Sequence, residues 1–142
     1  MLMKKKIGKK DQLYKEANEF FLAQKAQEEG MICLPNGIVY RKLYEGRGTR
    51  CPRTSSLVFV RYEGRLIDGT VFDTTADMDV APCFLIRELI MGWQSALCHM
   101  HEGDKIELYL PYTMGYGKRR IDNIPGYSTL CFTIELVRIE AY

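Results

Sequence analysis

The sequence lacks several features that would assign it to particular classes of protein. Its five cysteines are an odd number and include no Cys-x-x-Cys pair. This pattern argues against a disulfide framework and against a zinc site, and it indicates a reducing compartment. No apolar run is long enough to cross a bilayer, and a net charge of +2 gives no general attraction to nucleic acid or membrane. We therefore expect a cytoplasmic protein without nucleic-acid or membrane partners.

The cysteines also offer no obvious nucleophile. Cys83, Cys98 and Cys131 lie in or beside apolar segments, where a thiol usually serves as small core filler. A reactive thiol needs an electropositive and exposed setting, which the sequence alone does not locate.

The first ten residues contain five lysines but no apolar segment after them, so a secretory signal is not expected. We interpret this lysine run as a solvated, frayed terminus, with a weak anionic contact as the alternative. The lysines are Lys4, Lys5, Lys6, Lys9 and Lys10.

An amphipathic helix is predicted over Asp11–Glu29, with Asp11 as its N-cap and Gly30 ending it. Its apolar stripe should pack on the domain or on a second chain, since it is too apolar to face water. The stripe comprises Leu13, Tyr14, Ala17, Phe20 and Phe21. Further along the chain, the predicted loop Gly46–Ser56 marks a boundary. Residues 1–47 form an N-terminal helix and linker strand, and residues 48–142 form the main domain.

Alternating or β-branched segments predict strands in both parts of the chain. Asp68-Gly69 is a hairpin signal between two of them, and Pro111–Tyr127 is a long loop of the kind that often carries function. The predicted strands are Ile38–Tyr44, Leu57–Ile67, Thr70–Asp73, Lys105–Leu110 and Thr129–Glu140.

The only tryptophan, Trp93, lies in a stretch with helical spacing, Ile86–Met100. Six apolar residues there fall on one helical face, and Gly103 is placed to close the helix. Gly92 lowers helix propensity, which suggests a close backbone approach. The six residues are Leu89, Ile90, Trp93, Ala96, Leu97 and Met100. A short apolar helix needs a sheet to lie against, so the fold class is α+β.

Residues 57–140 contain several short motifs that occur in the order and spacing of a known family. The segment from Val60 to Asp73 resembles the Y-x-G-x-L-x-D-G-x-x-F-D signature of FKBP-type peptidylprolyl isomerases. Leu89–Met100 is similar to the family's V-I-x-G-W-x-x-A-L-x-x-M, and Thr129–Leu136 to its T-L-x-F-x-x-E-L. Upstream, Leu34–Gly37 and Tyr40 resemble the linker of the macrophage-infectivity-potentiator-like branch, here with a shortened N-terminal helix.

The resemblance implies an antiparallel curved half-barrel sheet wrapped around one short α-helix, with an N-terminal helical appendage. It implies peptidylprolyl cis–trans isomerase activity on X–Pro bonds during protein folding, without cofactor or metal. Asp73 and Tyr116 would act in catalysis. The substrate-binding residues would be Tyr62, Phe72, Leu89, Ile90, Trp93, Ile124 and Phe132. Phe84 is less secure, because its segment is one residue shorter than the branch's pattern.

The implied partners are proline-containing polypeptides and macrolide immunosuppressants, and the protein would be a monomer or a homodimer through the N-terminal helix. Other interpretations stay open on the residues alone. Trp93 and Phe132 could be core aromatics, and Asp73 could simply cap a turn. His99 and His101, two apart on the predicted helix, do not suggest a metal site. A peptide-binding chaperone module is an alternative function, and nucleic-acid binding through Lys118–Arg120 is a third.

Overall fold

Seven antiparallel strands form one open sheet in the computed structural model, which describes residues 6–141. The strands are β1 (Ile32–Cys33), β2 (Val39–Tyr44), β3 (Leu57–Arg65), β4 (Val71–Thr74), β5 (Cys83–Leu85), β6 (Lys105–Leu110) and β7 (Leu130–Ala141). The helices are α1 (Lys9–Gln27) and α2 (Met91–Leu97). Strands follow the order β1-β2-β6-β7-β3-β4, and β5 pairs with the start of β3. The expected α+β fold is confirmed.

Period-two alternation in the central strands gives the sheet its buried face. In β3 the side chains of Val58 and Val60 are fully buried, and in β7 those of Ile134 and Leu136 are too. β3 and β7 lie side by side at the middle of the sheet, with Tyr62 opposite Ile134. Because successive strand residues point to opposite faces, this alternation places one continuous apolar surface under α2.

The central helix is shorter than its apolar spacing predicts. A 3₁₀ turn spans Ile86–Glu88, and Leu89 and Ile90 have extended backbone before α2 begins at Met91. The helix ends at Leu97, so His99 and His101 lie beyond it rather than on it. The six apolar residues are buried or half-buried as expected, but Leu89, Ile90 and Met100 lie outside the helix. An apolar side chain can be buried against the sheet from helical or from extended backbone, so its spacing alone does not fix the helix bounds.

Two glycines near this helix have roles that the structure clarifies. A Cβ on Gly92 would lie 2.4 Å from the Cδ atoms of Leu110, so the predicted close approach is confirmed and β6 is the neighbour. Gly103 has a φ of +89° but does not close α2, which is a correction. Its N–H instead donates to the Leu136 carbonyl at 2.7 Å, where the chain turns into β6.

The predicted hairpin at Asp68-Gly69 is present. Gly69 has a φ of +91°, and the Leu66 N–H donates to the Thr70 carbonyl at 2.9 Å. β3 ends at Arg65 rather than at residue 67, since the turn needs those two residues. The predicted strand Lys105–Leu110 has the observed bounds of β6, and the other predicted strands differ from the observed bounds by one residue at one or both ends.

Helix α1 begins two residues before the predicted cap, with Gly8 in place of Asp11 as the N-cap. It ends at Gln27, and Gly30 follows with a φ of +82°. The apolar stripe is divided: Tyr14 and Phe21 contact the domain, whereas Leu13 is 59% exposed, Phe20 is 65% exposed and Ala17 is also exposed. Packing of these three on a second chain stays a prediction.

The docked face of α1 is centred on a polar residue instead. Asn18 is 1% exposed, and its amide oxygen accepts from the Thr129 N–H at 2.8 Å. The Thr129 hydroxyl donates to the Asn18 carbonyl at 3.2 Å, and the Tyr14 hydroxyl lies 2.8 Å from the Ser128 hydroxyl. The Phe21 ring packs against Tyr109. Hydrophobic periodicity could not find this face because hydrogen bonds, more than apolar contacts, define its centre.

The lysine run lies partly outside the described residues, which begin at Lys6. Lys9 and Lys10 belong to the first turn of α1, which corrects the view of the whole run as frayed. The division of the chain at residue 47 stays a prediction, and β1 and β2 from the first part extend the sheet through β6. Neither helix in the part of the chain described combines the length and hydropathy that a bilayer span needs.

Replacing Asn18 should weaken the fold measurably. In Asn18→Ala the buried Thr129 N–H loses its acceptor, and we expect the free energy of unfolding to fall by about 2 kcal/mol. Urea unfolding followed by Trp93 fluorescence measures this. Gln24→Ala, an exposed amide on the same helix, is the matched control and should change stability by less than about 0.5 kcal/mol. Equal effects of the two substitutions would contradict the docking role of Asn18.

Candidate functional site

A pocket of about 320 Å³ opens beside Trp93, between α2, the central strands and the long loop after β6. Its lining is mostly aromatic and aliphatic, with a few polar groups, which is the usual character of a ligand site. The lining residues are Tyr62, Asp73, Phe84, Glu88, Leu89, Ile90, Trp93, Tyr116 and Phe132. Seven of the nine site residues inferred from the sequence therefore meet in one cavity.

Trp93 is held at this pocket by three aromatic rings. The ring centroids of Tyr62 and Phe132 lie 4.8 and 5.3 Å from that of Trp93, with interplanar angles of 89° and 85°. Phe84 makes a third edge contact at 6.3 Å. Edge-to-face pairs are favourable because the positive ring edge meets the negative face of its neighbour. The indole is 4% exposed, and its N–H has no hydrogen-bond partner within residues 6–141.

Phe72 and Ile124 do not line the pocket themselves. Phe72 packs edge-on against Phe132, with centroids 5.6 Å apart, and so supports the wall from behind. Both rings can approach because Gly64 lies beside them: a Cβ there would sit 2.6 Å from Phe72 and 2.8 Å from Phe132. Ile124 is 7% exposed and belongs to the core.

Asp73 and Tyr62 form a polar pair at the pocket. The Tyr62 hydroxyl donates to Asp73 Oδ2 at 2.7 Å. Burial raises the pKa of Tyr62, and the hydrogen bond and charge of Asp73 raise it further. Tyr62 therefore remains a protonated donor at neutral pH, and it orients the carboxylate toward one side of the cavity.

Tyr116 comes from the long loop after β6, which internal hydrogen bonds hold in shape. The Gly117 N–H donates to the Tyr112 carbonyl at 2.9 Å, and the Tyr127 N–H donates to the Gly117 carbonyl at 3.0 Å. The loop then runs into Ser128 and Thr129, which α1 holds through the contacts described above. Burial raises the pKa of Tyr116, and the charge of Asp73 adds to the rise, so its hydroxyl also stays protonated.

The non-helical backbone before α2 shapes the opposite wall. Leu89 and Ile90 lie along the pocket because they are extended, whereas a helix starting at residue 89 would turn one of them away. Ile90 is the N-cap of α2, so its N–H precedes the helix's own hydrogen-bond ladder.

The sequence left one lining residue in doubt and missed another. Phe84 lines the pocket although its segment is shorter than the branch's pattern, because β5 pairs with β3 and carries it there. Glu88 ends the 3₁₀ turn and also lines the pocket. Its only sequence signal was its position next to Leu89, inside a segment interpreted as a helix.

Comparison with known proteins agrees with this geometry. The family described as FKBP-type peptidyl-prolyl cis-trans isomerase matches residues 48–137. The chain belongs to this family. A macrophage infectivity potentiator from Trypanosoma cruzi is 39% identical over 127 residues, which cover 89% of this chain and 65% of that protein. An FKBP-type 22 kDa isomerase from Escherichia coli is 38% identical over 84% of this chain and 58% of its own length. The FKBP chain thus falls in the macrophage-infectivity-potentiator-like branch.

Solved structures share the fold. A peptidyl-prolyl isomerase from Pseudomonas syringae has a TM-score of 0.83 and 30% identity, covering 96% of this chain and 98% of that one. FkpA from Escherichia coli has a TM-score of 0.85 and 32% identity over 93% of this chain and 63% of its own. The chain spans between about half and two thirds of the length of several curated relatives: 65%, 58% and 52% of three of them.

The pair formed by Asp73 and Tyr62 provides a pH-dependent test of the site. In Asp73→Asn the negative charge is lost while burial remains, so the pKa values of Tyr62 and Tyr116 should both fall. Phenolate absorbance at 295 nm should then appear at lower pH than in the wild type. Comparison with the double variant Asp73→Asn/Tyr62→Phe shows how much of this absorbance change comes from Tyr62. Asp68→Asn, at the exposed hairpin, is the control and should leave this part of the titration unchanged. Identical curves for wild type and Asp73→Asn would show that the carboxylate does not act on these hydroxyls.

Proposed function

We propose that this chain accelerates cis–trans isomerisation of X–Pro bonds in polypeptides, and that the pocket beside Trp93 performs it. The observation that carries the proposal is an open aromatic pocket with Trp93 at its base and protonated hydroxyls from Tyr62 and Tyr116 at its sides. Family membership supports the reaction type. The whole protein's activity and substrates are part of the proposal, because the chain spans only part of its curated relatives.

The reaction needs no covalent step. Amide resonance sets a barrier of about 18–20 kcal/mol to rotation, and the twisted transition state has lost that resonance. The twisted amide is less dipolar than the planar one, so an apolar, water-poor pocket stabilises it relative to the ground state. Aromatic walls around Trp93 suit this requirement, and they also suit the apolar pyrrolidine ring.

The polar groups of the pocket have separate proposed roles. Tyr116 can donate a hydrogen bond to a substrate carbonyl, and the Ile90 N–H can donate another. Asp73 orients and polarises rather than taking a proton, because its Oδ2 already accepts from Tyr62 at 2.7 Å. Phe72 and Ile124 contribute by supporting the wall and the core instead of by contact with substrate.

We also propose macrolide immunosuppressants as ligands of this pocket, and the cytoplasm as the location. The aromatic lining supports the first, since it suits an apolar ring system. The second is supported by five cysteines that are all free thiols. A relative from Legionella longbeachae is named an outer membrane protein, so location requires its own experiment by fractionation.

The isomerase proposal is tested by a protease-coupled assay on proline peptides. The wild-type chain should accelerate isomerisation above background, and Tyr116→Phe should lower kcat/KM about fivefold, the effect of one lost hydrogen bond of about 1 kcal/mol. Tyr112→Phe, in the same loop but outside the pocket lining, is the matched control and should retain the wild-type rate.

Macrolide binding, followed by Trp93 fluorescence, verifies in each variant that the pocket is assembled. A folded wild-type protein that binds the macrolide but gives no rate above background would overturn the isomerase proposal. A loss of rate in Tyr112→Phe equal to that in Tyr116→Phe would remove the proposed role of the Tyr116 hydroxyl.

A second candidate function is supported by the outer face of α1. Leu13 and Phe20 are seven residues apart, so they lie on the same side of the helix, and both are largely exposed. Exposed apolar side chains of this kind favour a contact with an unfolded client or with a second copy of the chain. The chain would then hold polypeptides as a chaperone module, with or without isomerisation.

The double variant Leu13→Ser/Phe20→Ser tests this surface. Under the chaperone proposal it should lose protection of an aggregating client while its isomerase rate stays unchanged, because neither residue lines the pocket. Light scattering of the client measures the protection. If the variant instead changes the chain from dimer to monomer in analytical ultracentrifugation and still protects the client, the surface is a self-contact. Unchanged protection and unchanged mass would exclude both roles.

A further inference from the structure

A cysteine, a histidine and an aspartate meet at the turn between α2 and β6, away from the aromatic pocket. Cys51 Sγ lies 3.5 Å from His101 Nε2, and His101 Nδ1 lies 3.6 Å from Asp104 Oδ2. None of the three lines the pocket beside Trp93. Fifty residues separate Cys51 from His101 in the sequence, so only the fold brings them together.

Asp104 is built into the structure as a charged group. Its side chain is fully buried, and it accepts from the Gly46 N–H at 2.7 Å and from the His101 N–H at 2.9 Å. Lys42 Nζ lies 3.3 Å away. Burial alone would raise the pKa of Asp104, but these backbone hydrogen bonds and the charge of Lys42 outweigh it and lower the pKa. A fixed carboxylate therefore faces the Nδ1 side of His101 and leaves Nε2 toward the sulfur.

The remaining cysteines lack this arrangement. Burial raises the pKa of Cys131 to about 12, and burial, with a smaller effect of Cys51, raises that of Cys98. Cys33 and Cys83 are exposed, but among the residues described no side-chain base lies within hydrogen-bond distance of their sulfurs. Cys51 is thus the one cysteine of residues 6–141 that has both partial exposure and a neighbouring imidazole.

The loop that carries Cys51 is rich in arginine. Arg47, Arg50 and Arg53 belong to the same loop, and His101 is 34% exposed. A positive environment and partial exposure are the conditions under which a thiol becomes nucleophilic. Although Cys51, His101 and Asp104 meet, no group of His, Cys, Asp or Glu residues in 6–141 has the arrangement that would hold a metal ion, so a thiol reaction is favoured over metal binding.

We propose that Cys51 is a reactive thiol that hydroperoxides oxidise to a sulfenic acid, with His101 as the general base and Asp104 as a positioning residue. His101 Nε2 takes the thiol proton as the sulfur attacks one peroxide oxygen. An S–O bond forms and the O–O bond breaks. The sulfur is oxidised by two electrons, which reduce both oxygens of the peroxide by one electron each, and the oxygen that is not bound to sulfur leaves as water or an alcohol after taking the proton from His101.

The experiment compares the five cysteines within one folded chain. The protein is treated with hydrogen peroxide at pH 7, sulfenic acid is trapped with dimedone, and each cysteine is quantified by peptide mass spectrometry. Cys51 should be labelled roughly tenfold faster than Cys33 or Cys83, although both of these are more exposed. A well-placed general base accelerates a reaction by about 10²–10⁴-fold. We expect less here because the distance between Cys51 Sγ and His101 Nε2 is 3.5 Å. Labelling with iodoacetamide should show the same order.

Three variants distinguish the effect of His101 as a base on Cys51 labelling from a general change in structure. His101→Gln should reduce the ratio of Cys51 to Cys33 labelling to about one, and Asp104→Asn should reduce it in part, whereas His99→Gln should not change it. Unfolding would also bring the ratio toward one, because unfolded thiols react alike, so each variant is first shown to be folded by its Trp93 fluorescence and its urea unfolding curve. Cys51 labelling no faster than Cys33 in the wild type, or unaffected by His101→Gln, would overturn the proposal. Neither result bears on the isomerase pocket.

Discussion

The edge-to-face contacts around Trp93 are the interaction on which the rest of this structure depends. A seven-residue helix has no stability of its own in water, because too few hydrogen bonds form after nucleation. Tyr62 and Phe132, from the two central strands, hold its tryptophan, and Gly92 allows the helix backbone to reach Leu110. The sheet therefore stabilises the helix, and the helix in turn presents one aromatic ring to the pocket.

This dependence explains why the helix is short. Because α2 starts only at Met91, Leu89 and Ile90 can run extended along the pocket wall. A longer helix would follow the apolar spacing more regularly, but it would remove the extended backbone that places both residues along the wall. The shape of the pocket wall therefore limits the length of the helix. Packing against the sheet supplies the stability that extra helical turns would otherwise give.

The loop that carries Tyr116 depends on a different kind of contact. It is fixed by its own backbone hydrogen bonds and, at its end, by the polar docking of α1 through Asn18. Hydrogen bonds depend more strongly on direction than apolar contacts do. This docking therefore allows the end of the loop fewer positions than a purely apolar interface would. An N-terminal helix that appears to be an appendage in the sequence is thereby part of the support of the pocket.

Local pattern by itself determined much of this protein. Alternation predicted the strands, Asp68-Gly69 predicted the hairpin, and the ordered motifs identified Tyr62, Asp73, Trp93 and Tyr116, because these signals depend on neighbours in the chain. Tertiary structure alone decided which face of α1 is buried, that Glu88 borders the pocket, and that Cys51 lies beside His101. Each of these depends on contacts between residues far apart in sequence, and neither spacing nor composition records such distances.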